Sequence, residues 1–285
     1  MEVLHGLDIS LGSVSAVQGQ VSAALAQAVE AARQFVRGQK LQHVDETGWR
    51  ERARLKWLWI NATKEVTVFR VLEGRGAEEA KAVISQSGKG IVTTDRYGAY
   101  NWLAGQRRQI CWAHLVRDFQ AMAERGDDSQ ETGEALLGQS REMFKLWHKV
   151  REGRLAHAEL ESALQPIRQR VKELLEAGSR STHKKTGRTC QRMLKVEQSW
   201  WTFVRVEGVE PTNNAAERPL RRAVLWRRKS FGTQSESGSR FAERILSAVT
   251  TLRQQGRDVL ESLTRACAPS GRDGGSTVCL LPLPP

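Results

Sequence analysis

The sequence lacks paired cysteines, long apolar runs and a signal-peptide pattern. Its four cysteines lie far apart along the chain, which argues against a disulfide framework or a four-cysteine zinc site and favours a reducing compartment. No run of about eighteen apolar residues occurs, so we expect no membrane partner. Residues 1–21 have neither a basic head nor a long apolar stretch, so we expect no signal peptide.

Acidic residues are fewer than basic ones. The chain of 285 residues has 44 Lys and Arg against 32 Asp and Glu, a formal net charge of +12. With 40% hydrophobic and 27% charged residues it is typical of a soluble globular protein. The positive excess makes a polyanion the expected partner, and nucleic acid is the commonest one. The alternative is a merely basic protein.

The first 38 residues have a helical pattern. Apolar residues recur three or four positions apart from Val21 to Ala32, which predicts a helical lead-in over residues 1–38. The stretch Ile9–Ser15 is similar to the turn and helix start of a helix-turn-helix. Two interpretations stay open for it, a remnant of a DNA-reading module and an ordinary helix.

The next segment alternates between strand and helix patterns. Three strand-like runs form two successive hairpins, and two further strands each precede a helix. The predicted strands are 41–47, 55–63, 65–72, 90–95 and 108–112, and the predicted helices are 77–86, 97–103 and 114–123. Three strands feeding βα units predict a mixed α/β fold, a ribonuclease-H-like sheet flanked by helices.

The remainder of the chain is predicted to be helical. Residues 127–203 form an all-helical insertion, broken by the polar stretch 178–187, before the helix that opens at Asn213. A long final helix is expected over 239–263, followed by a poorly ordered tail rich in Gly, Ser and Pro. The predicted domains are a lead-in at 1–38, a catalytic domain at 39–126 and 204–265, the insertion at 127–203 and a disordered tail at 266–285.

Three acidic residues lie on the predicted strands and on a late helix, in the order Asp, Asp, Glu. Asp45 ends the first strand and Asp95 the fourth, and these strands are neighbours in a ribonuclease-H-like sheet. Two adjacent carboxylates repel each other, and divalent cations relieve that repulsion. Glu217, on a late helix, is the expected third acid. Asp45 and Asp95 could instead be turn residues, and Glu217 could complete a capping box with Asn214.

Five separated motifs carry a resemblance to a known family. They are His43-Val44-Asp45-Glu46-Thr47, Thr94-Asp95-Arg96-Tyr97-Gly98-Ala99-Tyr100, Cys111-Trp112-Ala113-His114-Leu115-Val116-Arg117-Asp118-Phe119, Thr212-Asn213-Asn214-Ala215-Ala216-Glu217-Arg218 and Lys229-Ser230-Phe231-Gly232-Thr233. From about residue 41 to 263 the chain resembles the bacterial DDE transposases of insertion-sequence family 66, of the TnpC type. The resemblance implies a catalytic core with a helical insertion between the second Asp and the Glu.

The resemblance also implies a chemistry and its partners. Two Mg²⁺ ions, with Mn²⁺ as a substitute, would be held by Asp45, Asp95 and Glu217 and would activate a water and then a 3′-hydroxyl for in-line displacement at phosphorus. The substrate would be double-stranded DNA, at the terminal inverted repeats and the target. The resemblance further implies a homo-oligomer on the DNA and accessory proteins of the same element. It also implies that the protein is nucleoid-associated in the bacterial cytoplasm.

Basic residues cluster beside the proposed third acid. We expect them to contact backbone phosphates, the alternative being a solvated helix face. They are Arg218, Arg221, Arg222, Arg227, Arg228 and Lys229. His114 and Arg117 are expected to touch substrate phosphate, or to be structural. Cys111 with His114 could begin a zinc site, but a second such pair is missing nearby. Trp226 could stack on a frayed base or pack in the core.

Two features depart from the family's pattern. Its members usually have a longer N-terminal region with a DNA-reading, often zinc-binding module, so we expect a truncated copy or an internal start as an explanation. Pro219 fits the Glu217 helix only if that helix has barely begun. The alternatives to a transposase are a catalytically idle remnant that only binds DNA or the intact enzyme, and a ribonuclease H or resolvase.

Overall fold

The computed structural model describes residues 10–85, 88–268 and 278–282 and shows a mixed α/β protein. Five strands and ten α-helices lie within these residues. The chain divides into two compact units. The first comprises residues 1–90 and 214–285, and the second comprises residues 91–213.

The helices and strands have the following bounds in chain order. They are α1 (Leu11–Arg37), β1 (Leu41–Glu51), β2 (Arg54–Ala62), β3 (Thr67–Leu72), α2 (Ala77–Val83), β4 (Ile91–Thr94), β5 (Arg108–Ile110), α3 (Trp112–Ala123), α4 (Asp127–Arg151), α5 (His157–Gly178), α6 (Lys184–Leu194), α7 (Thr202–Arg205), α8 (Asn214–Ser230), α9 (Glu236–Gln254) and α10 (Val259–Cys267). All five predicted strands are present.

An antiparallel meander of β1, β2 and β3 is the centre of the first unit. Its register places Asp45 of β1 opposite Ile60 of β2, and Ile60 opposite Phe69 of β3. β1 continues four residues beyond the predicted end at position 47, because its pairing with β2 extends to Glu51 opposite Arg54 at the hairpin tip.

One face of this meander is covered by α8 and α9. Alternate residues of a strand point to the same face, so each strand contributes every second side chain to this apolar layer. The buried cluster consists of Trp49, Leu58, Ile60, Ala62, Phe69, Ala216, Leu220, Ala223 and Ala242. It fixes α8 above β1 and β2.

α9 lies along the open edge of β3 and completes its hydrogen bonds. The backbone N–H groups of Thr67, Phe69 and Val71 donate to Thr251 Oγ1 (3.1 Å), Ser247 Oγ (2.8 Å) and Glu243 Oε1 (2.5 Å). Four residues of a helix rise about 6 Å and two residues of a strand about 6.6 Å, so the two periods match. The edge strand is thereby closed to pairing with another chain.

α1 lies within the predicted helical lead-in. Ser10 caps its N-terminus by accepting from Ser13 N at 3.0 Å, and the helix buries Leu25, Val29 and Ala32 against α9. The helix start predicted within Ile9–Ser15 is therefore present. The element that would precede it in a helix-turn-helix falls in residues 1–9, outside the described residues.

The expected final helix over 239–263 is wrong as a single element. α9 ends at Gln254 and Gly256 adopts a φ of +68°, which turns the chain out of the helix. Asp258 then starts α10 by accepting from Glu261 N at 2.7 Å. The apolar spacing continued across the break, so the periodicity did not reveal it.

The tail contains a packed segment. Of residues 266–285 the structure describes 266–268, which include the end of α10, and 278–282. Val278 and Leu280 are buried in the cluster formed by α1 and α9, contrary to the expectation of a wholly disordered tail. Their apolar side chains stabilise this segment despite the surrounding Gly, Ser and Pro.

The second unit pairs a short parallel ladder with helices. β4 and β5 are parallel, with Thr94 opposite Ile110, and the predicted helix at 97–103 is a single 3₁₀ turn at 98–100. The polar break predicted at 178–187 is narrower, because α5 extends to Gly178 and α6 begins at Lys184. α3 packs on α4, and Gly133 of α4 allows this close approach.

The helical insertion shares its core with β5 and α3. Trp112 at the start of α3 packs edge-on against Trp200 and Trp201, at ring-centroid distances of 5.9 and 4.9 Å. Its indole N–H donates to the Trp200 carbonyl at 2.9 Å. The second compact unit, residues 91–213, contains the whole range predicted as the insertion, 127–203.

None of the helices in the described parts of the chain combines the length and apolar composition needed to cross a bilayer.

Candidate active site

Asp45 lies on the face of the meander that α8 covers. It alternates with Thr47 and Trp49 along β1, and it lies directly opposite Ile60. Trp49 and Ile60 both belong to the cluster beneath α8. The Asp45 side chain is half-buried, and its Oδ1 accepts from the N–H of Glu46 at 2.9 Å. The carboxylate is thus positioned at the margin of an apolar layer.

The neighbouring acid, Glu46, points to the opposite face and is bound in an ion pair. Its side chain is 1% exposed and accepts from Arg75 Nη2 at 2.7 Å and from Arg75 Nε at 3.1 Å. Arg75 also lies over the ring of Trp57, 4.5 Å from the centroid. Of the two successive acids, Glu46 therefore has a structural role.

Glu217 lies on α8, between its buried and its exposed face. Ala216, Leu220 and Ala223 face the sheet, and Glu217 is about 100° around the helix axis from Ala216. Because α8 begins at Asn214, Glu217 is its fourth residue. In a capping box the acid is the third residue after the cap, so the role of Glu217 as a cap partner stays an alternative. Asp45 and Glu217 are thus on the same side of the first unit's sheet.

The exposed face of α8 is basic. Its residues recur three and four positions apart, as expected for one helix face. They are Arg218, Arg221, Arg222, Arg228 and Lys229, all exposed, with Leu225 exposed among them. The cationic face begins beside Glu217, which lies at its margin.

Arg227 and Trp226 hold α8 against the sheet. The guanidinium of Arg227 donates to the carbonyl of Gly48 and, at 3.1 Å, to Thr47 Oγ1. Burial, and secondarily the charge of Arg228, lower its pKa. Trp226 packs edge-on against Trp49, with ring centroids 6.2 Å apart, so the core-packing alternative is confirmed for it.

Pro219 lies deeper in α8 than we expected. It is the sixth residue of the helix, and the helix continues to Ser230. A proline there has no N–H to donate to the carbonyl four residues earlier, that of Ala215. The packing of Ala216 and Leu220 against the sheet offsets this loss.

In the second unit, Asp95 follows β4 in a loop held by a buried arginine. Arg108 is 2% exposed and donates from Nη2 to the carbonyls of Asp95 (2.9 Å) and Tyr97 (3.2 Å). It also donates from Nε to Thr94 Oγ1 at 3.0 Å. Burial lowers the pKa of this guanidinium to about 10, and Asp95 opposes the shift, so the side chain is charged at neutral pH.

The Asp95 carboxylate itself forms an Asx-type turn. Its Oδ1 accepts from the N–H of Tyr97 at 2.9 Å, and the side chain is half-buried. The turn predicted as an alternative role is therefore present. It occupies one lone pair of one oxygen and leaves acceptor capacity on the carboxylate.

Cys111 and His114 lie at the same end of the parallel pair as Asp95. The N–H of Cys111 donates to Thr94 O at 2.8 Å, and Cys111 precedes α3, whose first turn carries His114. The Cys111 thiol accepts from Asn213 N at 3.2 Å. No second cysteine–histidine pair joins them in the described ranges. Arg117 is exposed one turn later on α3.

Sequence comparison assigns the chain to a family. Residues 1–241 match the profile described as "Transposase IS66 family". The chain belongs to this transposase family. The matched range contains Asp45, Asp95, Glu217 and the basic residues of α8.

A curated relative of this IS66-family chain is also known. "Uncharacterized protein y4qI" of Sinorhizobium fredii is 26% identical over 234 residues, which cover 73% of this chain and 42% of the relative. The chain thus spans less than half of that protein's length.

The sequence did not indicate the role of Arg108. Its chemistry is ordinary for a basic chain, and only burial against the Asp95 loop distinguishes it from the other arginines. The available signal was its position in the short strand β5, where a charged residue is unusual.

Proposed function

We propose that this IS66-family chain is the catalytic part of a DDE transposase, which cuts and joins DNA at insertion-sequence ends. The observation that carries the proposal is the placement of Asp45 and Glu217 on one side of the sheet, at the margin of a basic helix face. Family membership supports it. We include Asp95 in the proposed catalytic set because of its motif and its position at the end of β4.

The donor set fits Mg²⁺ or Mn²⁺. Carboxylate oxygens are the ligands that these hard cations prefer, and Asp45, Asp95 and Glu217 are each half-buried. Two such ions would supply charge neutralisation and activation of the attacking oxygen. The three side chains would hold them, while the ion pair of Glu46 with Arg75 keeps that carboxylate apart.

The other residues would bind and position the substrate. We assign Arg218, Arg221, Arg222, Arg228 and Lys229 to the phosphate backbone, because they form one exposed cationic face. His114 and Arg117 on α3 are proposed to contact phosphate near the reacting end. Arg227 would keep α8 in register with β1, and Arg108 would hold the Asp95 loop.

The proposal extends to the architecture and assembly. The chain order of strands and helices supports a ribonuclease-H-like fold, which we propose for the catalytic part. From family membership we also propose a homo-oligomer on paired terminal repeats, accessory proteins of the same element and a nucleoid-associated location.

A nicking assay tests the proposed chemistry. Supercoiled DNA that carries the element's ends is expected to be nicked in Mg²⁺ or Mn²⁺, and EDTA is expected to abolish nicking because the carboxylates alone cannot stabilise the transferred phosphoryl charge. Restored Mg²⁺ should restore activity. DNA binding without nicking in either metal would favour the idle remnant. Cleavage of RNA–DNA hybrids or junctions in preference to the ends would favour a ribonuclease H or resolvase.

The basic face of α8 predicts a measurable salt dependence. Replacing Arg221 and Arg222 together with Gln is expected to weaken binding to all duplex sequences. It should also reduce the slope of log K against log salt by about 0.9 for each phosphate that the variant no longer neutralises. Fluorescence anisotropy at several salt concentrations measures both quantities.

The matched control replaces Arg240 and Arg265 with Gln. These exposed arginines lie on α9 and α10 of the same unit and pair with Glu236 and Glu261. This double variant loses the same net charge as the variant of Arg221 and Arg222, but at positions outside the basic face. An equal change of slope in both double variants would contradict a specific role for α8.

A further inference from the structure

The residue after α8, Phe231, is unusually exposed. Its side chain is 79% exposed, more than any other aromatic residue in the described ranges, and its φ is +56°. Bulky residues rarely adopt this left-handed conformation. An exposed, constrained aromatic ring is a feature that core packing does not explain.

The turn that carries Phe231 is anchored to the tip of the β1–β2 hairpin. Thr233 N donates to Arg50 O at 2.9 Å, and Arg52 N donates to Thr233 O at 2.7 Å. Gly232 has a φ of +95° and lies so close to Arg50 that a Cβ would be 2.1 Å from its carbonyl oxygen. The backbone on the C-terminal side of Phe231 therefore has little freedom.

Side chains strengthen the same anchor. Thr233 Oγ1 accepts from the indole N–H of Trp49 at 3.1 Å and is 2.7 Å from Ser239 Oγ. Ser239 donates to Glu51 Oε2 at 2.6 Å, and Glu51 pairs with Lys56 at 2.9 Å. This chain of bonds connects the turn to the core and to the hairpin, so the ring of Phe231 is presented on a rigid support.

Phe231 forms one wall of an open pocket of about 310 Å³. The pocket is lined by Gly48, Arg50, Leu55, Arg227 and Phe231. Its volume is at the lower end of the range of about 300–1,000 Å³ that is typical of small-ligand sites. The lining combines two apolar side chains, two arginines and a glycine, and this combination suits a flat apolar ring with an adjacent anion.

We propose that this pocket receives an unpaired base of the DNA substrate, with Phe231 stacking on the base. This inference rests on the proposed function. Charge favours a nucleotide over an apolar protein segment, because the described lining residues include two arginines and no acid, and exposed Arg228 and Lys229 precede Phe231. Aromatic stacking tolerates any base because every base has a π-face.

Three duplexes that differ only at one end test the proposal. One is blunt, one has a short thymidine overhang, and one has the same overhang with abasic sites. By fluorescence anisotropy, the native chain is expected to bind the thymidine overhang about 5- to 150-fold more tightly than the abasic overhang. An adenosine overhang should show a similar preference. A ratio near one would overturn the proposal.

Variants assign the preference to Phe231. Phe231→Ala is expected to bring the ratio to about one without changing affinity for the blunt duplex, whereas Phe231→Trp should keep the preference. The matched control is Leu260→Ala, which removes a 75% exposed apolar side chain on α10. Equal thermal unfolding of the variants establishes that they are folded. A preference that survives in Phe231→Ala would overturn the assignment.

The outcomes separate this inference from the function on which it rests. Binding of the blunt duplex without a base preference would overturn the base pocket and leave the DNA-binding function standing. Failure to bind any of the three duplexes would contradict both. Concentration-dependent self-association that is lost in Phe231→Ala, together with a ratio of one, would assign the surface to a second copy of the chain and overturn the proposal.

Discussion

Replacing Asp45 with Asn is expected to lower the rate of metal-dependent DNA cleavage by at least about a thousandfold, which corresponds to about 4 kcal/mol of lost transition-state stabilisation. The reason is the loss of one negative charge from the proposed metal-binding carboxylates. The amide oxygen of Asn can still accept from the Glu46 N–H, so the strand should keep its structure. Nicking of end-bearing DNA measures the rate, and thermal unfolding measures the stability.

Two other carboxylates of the same unit serve as controls for Asp45. Glu46→Gln is expected to reduce stability, because it breaks the ion pair with Arg75, and to leave the cleavage rate of the folded fraction unchanged. Glu65→Gln changes an exposed acid in the β2–β3 turn and should alter neither quantity. Cleavage that persists in Asp45→Asn would remove this residue from the catalytic set.

Replacing Glu243 with Ala is expected to lower the free energy of unfolding of the first unit by about 3 kcal/mol. Its carboxylate accepts from the Val71 N–H on the open edge of β3 and from Arg33 Nη2 of α1 at 3.0 Å. Truncation leaves a backbone donor and a largely buried guanidinium without this acceptor. Urea denaturation followed by tryptophan fluorescence measures the loss.

Graded variants distinguish the Glu243 contacts from general surface charge. Glu243→Gln keeps an acceptor for Val71 and should be less destabilising than Glu243→Ala. Glu236→Ala removes an exposed acid of the same helix that pairs with Arg240, and it should change stability by no more than about 0.5 kcal/mol. Equal losses in Glu243→Ala and Glu236→Ala would show that the edge contacts contribute little.

Local patterns were sufficient to predict the strands and most helices. The apolar run in β2, which is buried from Leu58 to Ala62, and the three- and four-residue spacing in α1 belong to side chains that face a core. Such patterns can be recognised in short stretches of sequence. The prediction was wrong where two helices share an apolar pattern across Gly256, and where Val278 and Leu280 find a core formed by residues far away in the chain.

The sequence motifs named Asp45, Asp95 and Glu217 as candidates, but they could not distinguish Asp45 from Glu46 by physical environment. That distinction needs the pairing register of β1, because a shift of one residue moves each side chain to the opposite face. The same register brings Asp45 to the α8 side and directs Glu46 to Arg75.

Composition and motif order alone determined the family, the basic character and the candidate acids, because these properties depend on which residues are present and in what order. The tertiary structure decided which side chains make structural contacts and which are exposed. It turned Arg227 towards the Gly48 carbonyl, buried Arg108 beneath the Asp95 loop and left Phe231 exposed on a rigid turn. Each of these roles depends on contacts between residues far apart in sequence, and local sequence patterns do not encode such contacts.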